Sequence, residues 1–475
     1  MATSMPGHDR PNIIFIMADD MGYGDLGCYG ATRIRTPNMD RIAAEGIRLT
    51  DAHSSSAVCT PSRYGVLTGR YCWRTHLQSW VLWGFEPPLI EPTRLTVASM
   101  LKRMGYATAA IGKWHLGLGW TTRDGQSPTA DGSNVDYGVP ITGGPTALGF
   151  DTSFCITGSL DMAPYCFIED DHVVGTPSLP KHPRYPQQRP GLMTPDWRDD
   201  LVDVTFTRKA VAFIDQHMAT APEQPFFLYL TPSAPHRPCL PPPLMIGASK
   251  AGPRGDMVAL VDWIVGQIDE ALCRHSIVED TLLIVTSDNG ARLTDYYGRT
   301  YGHRSCGYLR GQKADIWDGG HREPFVARWP GHIAPGSTGD EPVCLIDLMA
   351  TVAALVGYEL PPEAAPDSYN ILPALLSQTD GKPIREAIVH HSGAGMFSLR
   401  QGRWKLIQGL GSGGFSEPRS LEPTPDGPQG QLYDMWEDTG EGANLWLRRP
   451  ELVKRLSELL ERYRAEGYSR PGAVG

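Results

Sequence analysis

The sequence predicts an α/β protein, with a large doubly wound sheet covered by helices on both faces and then a smaller C-terminal α+β domain. Three observations carry that expectation. Short apolar runs rich in β-branched residues alternate with stretches of helical spacing over residues 1–380. Over 381–475 the runs instead crowd together with tight turns between them, as in an antiparallel sheet. Finally, 475 residues exceed the ~250–300 at which one core stops growing, and 41% apolar residues supply enough material for more than one.

Taken in order, the expected strands of the first domain are Asn12–Met17, Ile47–Ala52, Ala107–Ile111, Phe226–Leu230, Thr281–Thr286 and Pro324–Arg328, each bounded by Gly, Pro, Asp or Asn. Between them, Thr36–Glu45, Thr96–Met104, Leu201–Met218, Asp256–Arg274 and Leu345–Val356 repeat apolar residues every three or four positions and read as helices. A boundary falls near Asp380–Pro383. Beyond it Ala387–His391, Met396–Arg400, Trp404–Gln408 and Leu432–Trp436 read as strands, and Glu451–Arg464, with Leu452, Leu456 and Leu459 on one face, as the helix across them. Segments 120–150, 174–198 and 410–430 lack periodicity and read as long loops, in keeping with 52 glycines and 41 prolines.

A net charge of −10 gives no basic field for nucleic acid, so none is expected as partner. The apolar stretch Leu345–Tyr358 is broken by Asp347 and too short to span a bilayer. The start MATSMPGHDR has no signal-like apolar core, so the chain as it stands is expected in the cytoplasm, with periplasm or secretion the alternative if a leader was removed. Nine irregularly spaced cysteines without a CxxC pair point to reduced thiols, or to one reserved for chemistry.

Ligands of an open parallel sheet bind beyond the carboxyl ends of its strands. The residues there are Asp19-Asp20, Lys113 with His115, His236, and Asp288-Asn289. Each alone is ordinary turn chemistry or a solvated side chain. Together, three carboxylates at neighbouring strand ends would repel unless a cation sat among them, and oxygen donors suit Ca²⁺, with Mg²⁺ second. In Cys59-Thr60-Pro61-Ser62-Arg63, Thr60 reads as an N-cap and Pro61 as the first helical residue, placing Cys59 at a helix N-terminus. Trp80, Trp83 and Phe85 lie in the loop that follows and could stack on a sugar face, core packing being the commoner use.

Cys59-x-Pro61-Ser62-Arg63 followed by Leu67-Thr68-Gly69-Arg70 resembles the formylglycine-dependent sulfatases of the alkaline phosphatase superfamily. Further matches are Ala18 to Asp25, Gly112-Lys113-Trp114-His115-Leu116-Gly117, Pro235-His236, Ser287-Asp288-Asn289-Gly290, Gly311-Gln312-Lys313, Asp318 to Pro324, and Leu432-Tyr433-Asp434. The resemblance implies that a formylglycine-generating enzyme oxidises Cys59 to formylglycine, whose hydrated aldehyde is the nucleophile. It implies calcium held by Asp19, Asp20, Asp288, Asn289 and modified Cys59, and sulfate clamped by Lys113 and Lys313. Arg63 and His115 would hold and work on the diol, His236 would face the leaving oxygen, and Ser159 would touch the sulfate. His321 stands where the family often has Val.

Such residue types suit the reaction. Hydrolysis of a sulfate monoester needs charge neutralised on the transferred group and the leaving oxygen protonated. A cation with two lysines meets the first need and a histidine the second. An aldehyde hydrate adds a second hydroxyl, whose deprotonation, with His115 as base, can expel sulfate and restore the aldehyde. The expected activity is therefore hydrolysis of a sulfate ester, on a galactose- or N-acetylgalactosamine-type carbohydrate. Alternatives are a broad arylsulfatase, a phosphonate or phosphate monoester hydrolase of the same superfamily, a zinc phosphoesterase, and a non-catalytic sulfoglycan-binding protein. Asn289 disfavours phosphonate, whose hydrolases tend to carry His there, and the extra ligands of a two-metal site are not found. Oligomeric state cannot be read from the chain.

Overall fold

The computed structural model describes residues 10–183, 188–293, 300–379 and 381–474; Asp380, at the expected boundary, and part of the expected loop 174–198 lie outside the described residues. In chain order the strands are β1 (Asn12–Ala18), β2 (Ile47–His53), β3 (Ala107–Lys113), β4 (Thr152–Ile156), β5 (Ile168–Glu169), β6 (His172–Val173), β7 (Leu179–Pro180), β8 (Leu192–Met193) and β9 (Phe226–Thr231). They continue with β10 (Thr281–Ser287), β11 (Arg322–Arg328), β12 (Ser337–Gly339), β13 (Val343–Cys344), β14 (Ile388–His391), β15 (Phe397–Gln401), β16 (Trp404–Ile407) and β17 (Gln431–Asp434). The helices used below are α1 (Pro37–Glu45), α2 (Cys59–Thr68), α3 (Val97–Arg103), α4 (Val202–Thr220), α5 (Gly252–Arg274), α6 (Leu348–Val356), α7 (Leu372–Leu375) and α8 (Pro450–Glu466).

The main sheet runs β12-β2-β11-β10-β1-β9-β3-β4-β5-β6, with β13 also pairing β2. Its centre, β10-β1-β9-β3-β4, is parallel. Both flanks depart from the all-parallel expectation: β11 runs antiparallel to β10 and β2 antiparallel to β11 on one side, and β5 antiparallel to β4 and β6 antiparallel to β5 on the other. Period-two alternation splits β1 between two cores. Ile13, Phe15 and Met17 face the side packed by α2, α3 and α6, while Ile14, Ile16 and Ala18 face α1, α4 and α5. Both faces being covered explains why β1, β9 and β10 are buried along their whole length, with apolar runs through their middles.

The small sheet, β14-β15-β16-β17, is antiparallel throughout, and α8 lays Leu456, Leu459, Leu460 and Tyr463 against it. Tyr71, Trp73, Cys344 and Ile346 join the same apolar cluster, so this sheet packs directly onto the large one's loops. A polar clip also joins them: fully buried Lys405 of β16 lies 2.7 Å from both Asp318 and Glu441. Removing that cation leaves buried Glu441 without a positive partner and Asp318 with Arg322 alone, 3.4 Å away. Lys405→Ala is therefore expected to lose about 3–5 kcal/mol of stability in urea unfolding. A loss below about 1 kcal/mol, the scale of an exposed pair, would refute that role.

His321, the family oddity, belongs to this buried region. Its ring stacks on His390 with centroids 3.9 Å apart, and its Nδ1 lies 3.1 Å from His53 Nδ1. None of the nine cysteines is joined to another by a disulfide.

Candidate active site

Four strand ends and one helix N-terminus meet at a single edge of the parallel centre. β1 delivers Asp19 and Asp20, β3 ends on Lys113 with His115 two residues on, β9 leads to His236, and β10 leads to Asp288 and Asn289. Asp20 and His115 take positive φ, 67° and 59°, which turns each chain sharply as it leaves the sheet. Gly112 permits the close approach of β3 to β9: a Cβ there would sit 2.1 Å from the Thr231 carbonyl oxygen.

Helix α2 begins at Cys59 itself, with Val58 at the cap. Thr60 is thus inside the first turn rather than at the N-cap, and its hydroxyl accepts from the Leu82 amide at 3.2 Å. Pro61 is still tolerated, because first-turn N–H groups have no partner within a helix. Cys59 remains at the electropositive end. Its Sγ lies 3.3 Å from Lys313 Nζ and 3.5 Å from Asp19 Oδ1.

Around it the charges interlock. Lys113 Nζ donates to Asp19 Oδ2 and to Ser159 Oγ, each at 2.7 Å. Lys313 Nζ lies 2.5 Å from Asp20 Oδ1, which also accepts from Asn289 Nδ2 at 2.7 Å. Arg63 donates through Nε and Nη2 to Asp288 Oδ2 at 2.9 and 2.7 Å, and through Nη1 to the Lys113 carbonyl at 2.9 Å. Its hydrogen bonds therefore go to Asp288 and the backbone. His115 Nε2 is 2.8 Å from the Leu82 carbonyl, which can only accept; the proton sits on Nε2 and leaves Nδ1 a buried, unpartnered acceptor. By the same logic His236 Nδ1 donates to the Arg237 carbonyl at 2.6 Å, and Nε2 faces Asp20 Oδ2 at 3.7 Å.

Burial decides the protonation of the site. It pushes the Cys59 thiol up to about 12 despite Lys113 and Lys313, so the sulfur is a neutral thiol at pH 7 and a poor nucleophile. Burial, aided by Lys113 and Arg63, holds His115 well below the usual histidine value, and burial with Lys313 brings His236 to about 3. Burial alone would raise Asp20, but the Lys313, His236 and Lys113 charges outweigh it.

One ligand atom each from Asp19, Asp20, Cys59 and His236 lies within 4.8 Å of the others, an acidic cluster with a histidine that can hold a metal ion. Two further observations fit a cation. Asp20 Oδ2 and Asn289 Oδ1 are buried acceptors with no hydrogen-bond partner, the condition a bound ion would relieve. Burial also raises Asp288 against the pull of Arg63, with Asp19 adding to the rise, as expected of carboxylates crowded without enough positive charge.

The site opens into a pocket of about 360 Å³ that reaches from Cys59 and Lys313 past Ser159 and His236. Trp80 and Trp83, 42% and 48% exposed, stand on its wall, whereas Phe85 packs edge-on against Trp120. Among the charged and aromatic lining residues, sequence reasoning missed five: Asp161, Arg189, Arg237, Arg292 and Phe415. Arg237 and Arg292 could have been suspected from their closeness to His236 and Asn289, but nothing marked Phe415 within a segment read as a loop. A larger cleft of about 990 Å³ elsewhere holds none of these residues, and most of its arginines are engaged, Arg74 with Asp367, Arg94 with Glu91 and Arg464 with Glu461.

A parallel α/β sheet that gathers a cysteine in the first turn of a helix, paired lysines and a cation-ready carboxylate cluster at one edge defines a hydrolase of anionic esters with an alkaline phosphatase-like fold. Comparison with known proteins narrows the class. A sequence model of the family described as Sulfatase matches residues 11–358, and the chain belongs to that family, which makes it a sulfuric ester hydrolase. The N-acetylgalactosamine-6-O-sulfatase of Bacteroides thetaiotaomicron is 36% identical over 493 aligned positions, covering 95% of this chain and 93% of the relative. Human arylsulfatase A is 34% identical over 467 positions, covering 94% and 87%. A solved sulfatase structure from work on glycosaminoglycan metabolism by B. thetaiotaomicron superposes with a TM-score of 0.83 at 33% identity, covering 96% of this chain and all of that one.

Proposed function

We propose that this sulfatase hydrolyses a sulfate ester on a carbohydrate of the galactose or N-acetylgalactosamine type, with residue 59 acting as formylglycine and calcium held by Asp19, Asp20, Asp288 and Asn289. The observation that carries the mechanism is the neutral, buried Cys59 thiol between Lys313 and Asp19 at a helix N-terminus, beside acceptor atoms that lack partners. A thiol of that kind is a weak nucleophile, whereas a formylglycine hydrate would supply a hydroxyl nucleophile and a built-in way to release sulfate. The kinship to an N-acetylgalactosamine-6-O-sulfatase supports the sugar.

In this reading Lys113, Lys313 and Ser159 hold the sulfate oxygens and offset their charge as the S–O bond breaks. The bare Nδ1 of His115 takes a proton from residue 59. His236 protonates the leaving oxygen at Nε2. Neutral in the free enzyme, it must first gain that proton, which both Asp20 and an incoming sulfate anion favour. Calcium would neutralise charge on the sulfate and on residue 59.

Sulfate release across defined sulfated saccharides tests the substrate: turnover of sulfated galactose or N-acetylgalactosamine is expected, and activity confined to aryl sulfates would refute the carbohydrate reading. For the metal, Ca²⁺ added to chelator-treated protein is expected to raise the Tm and restore turnover, and Asp20→Ala to abolish both responses. Restoration by Zn²⁺ and not by Ca²⁺ would overturn the oxygen-donor argument.

A further inference from the structure

Three arginines line the active-site pocket: Arg189 pairs with Asp161 at 3.5 Å, whereas Arg237 and Arg292 have no carboxylate at hydrogen-bond distance. Arg237 follows His236, and Arg292 comes three residues after Asn289, so the strand ends that supply the site supply them too. Both line the pocket that holds Cys59 and Lys313. Arg237 Nε forms a long ion pair with Asp161 Oδ2 at 3.7 Å, beyond hydrogen-bond reach, and has no hydrogen-bond partner. Arg292 makes no ion pair or hydrogen bond among the described residues. Its Nε is buried and unpartnered, and its guanidinium carbon sits 3.9 Å from the centre of the Phe415 ring. Burial and the Arg237 charge both work against the Arg292 cation, with Asp20 and Asp161 opposing them.

Two guanidinium groups facing one partly dry pocket repel each other, and an anion between them would relieve that. The transferred sulfate does not need them, because Lys113 and Lys313 already stand beside Cys59 with Ser159. A planar fork of donors suits the oxygens of a carboxylate or a sulfate. Asp161 Oδ1, buried and unpartnered, can accept from a sugar hydroxyl between the two charges.

We propose that Arg237 and Arg292 form a second anion subsite, which takes a carboxylate or a further sulfate on the same substrate, so that the preferred ester carries one negative charge at the bond cleaved and another beyond it. The proposal rests on the carbohydrate reading above.

Its test uses N-acetylgalactosamine 6-sulfate, the same sugar carrying a second sulfate, and its disaccharide with a uronic acid, each as substrate and as competitor of 4-nitrophenyl sulfate hydrolysis. Wild-type protein is expected to favour a doubly charged sugar over the singly charged one by at least about tenfold in kcat/KM, expressed in KM, with the preference shrinking as salt rises. Arg237→Gln and Arg292→Gln are each expected to lower that ratio about ten- to hundredfold, the range of a charge-assisted hydrogen bond, and Arg292→Lys to retain part of it. Whether the second sulfate or the uronate gives the gain identifies the anion. Competition by the singly charged sugar with no gain from a second charge overturns the proposal alone, as do equal losses on all substrates in the Gln variants, which would assign both arginines to the transferred sulfate. Turnover of 4-nitrophenyl sulfate with no competition from any sugar overturns the carbohydrate reading and the proposal together.

Discussion

Cys59→Ala is expected to cost about 10⁴–10⁶-fold in kcat on every sulfate ester, the scale on which removal of a nucleophile falls in other hydrolases. The loss should not depend on the leaving group, because the step removed is the attack on sulfur. Nor should it trace to misfolding: the substitution deletes one sulfur whose contacts are long, 3.3 Å to Lys313 and 3.5 Å to Asp19. The companion measurement is the mass of the peptide that contains residue 59. Active protein is expected to show the thiol sulfur replaced by aldehyde oxygen with hydrogen lost. With burial holding the thiol at about 12, almost no thiolate is available at neutral pH to act instead. Full turnover by a chain whose residue 59 is an intact thiol would overturn the assignment.

His236→Ala should separate substrates by their leaving groups. General acid catalysis contributes about 10²–10⁴-fold, and the whole of that is expected to vanish for a saccharide sulfate, whose alkoxide leaves poorly without a proton. An activated nitrophenolate leaves unprotonated, so 4-nitrophenyl sulfate should lose far less. The geometry supports the role: Nδ1 is tied to the Arg237 carbonyl at 2.6 Å, which fixes the ring and turns Nε2 toward Asp20 at 3.7 Å, on the pocket side of the site. Equal losses on the two substrates would make His236 a sulfate-binding group and not an acid.

Much of this could be read from residue order, for a physical reason. Strands of a doubly wound sheet are buried on both faces, so β1, β9 and β10 carry apolar runs through their middles, and the residues just past their ends are the ones a ligand meets. Asp19, Asp20, Lys113, His115, His236, Asp288 and Asn289 could therefore be nominated from position alone, and the pentapeptide at Cys59 identified the family because its motif is local.

What the sequence left undecided depends on contacts between distant segments. The antiparallel run of β11 against β10 is set by how 34 residues of intervening chain return, which no local pattern encodes. Val58 rather than Thr60 caps α2, and the Thr60 hydroxyl instead accepts from the Leu82 amide, 22 residues on. Arg63 reads as a ligand of residue 59 from its motif, yet in three dimensions Asp288, 225 residues away, is close enough to accept two of its hydrogen bonds. Phe415 reaches the pocket on a loop of the C-terminal segment that Asp315 holds by accepting from the Phe415 and Ser416 amides at 2.7 and 3.0 Å. By itself the sequence determined the chemistry, since reactive side chains and their flanking motifs are local; the tertiary structure decided which charges neutralise one another and which, as at the Nε atoms of Arg237 and Arg292, are left without a hydrogen bond beside the pocket, because electrostatic pairing depends on distance in space and not on separation along the chain.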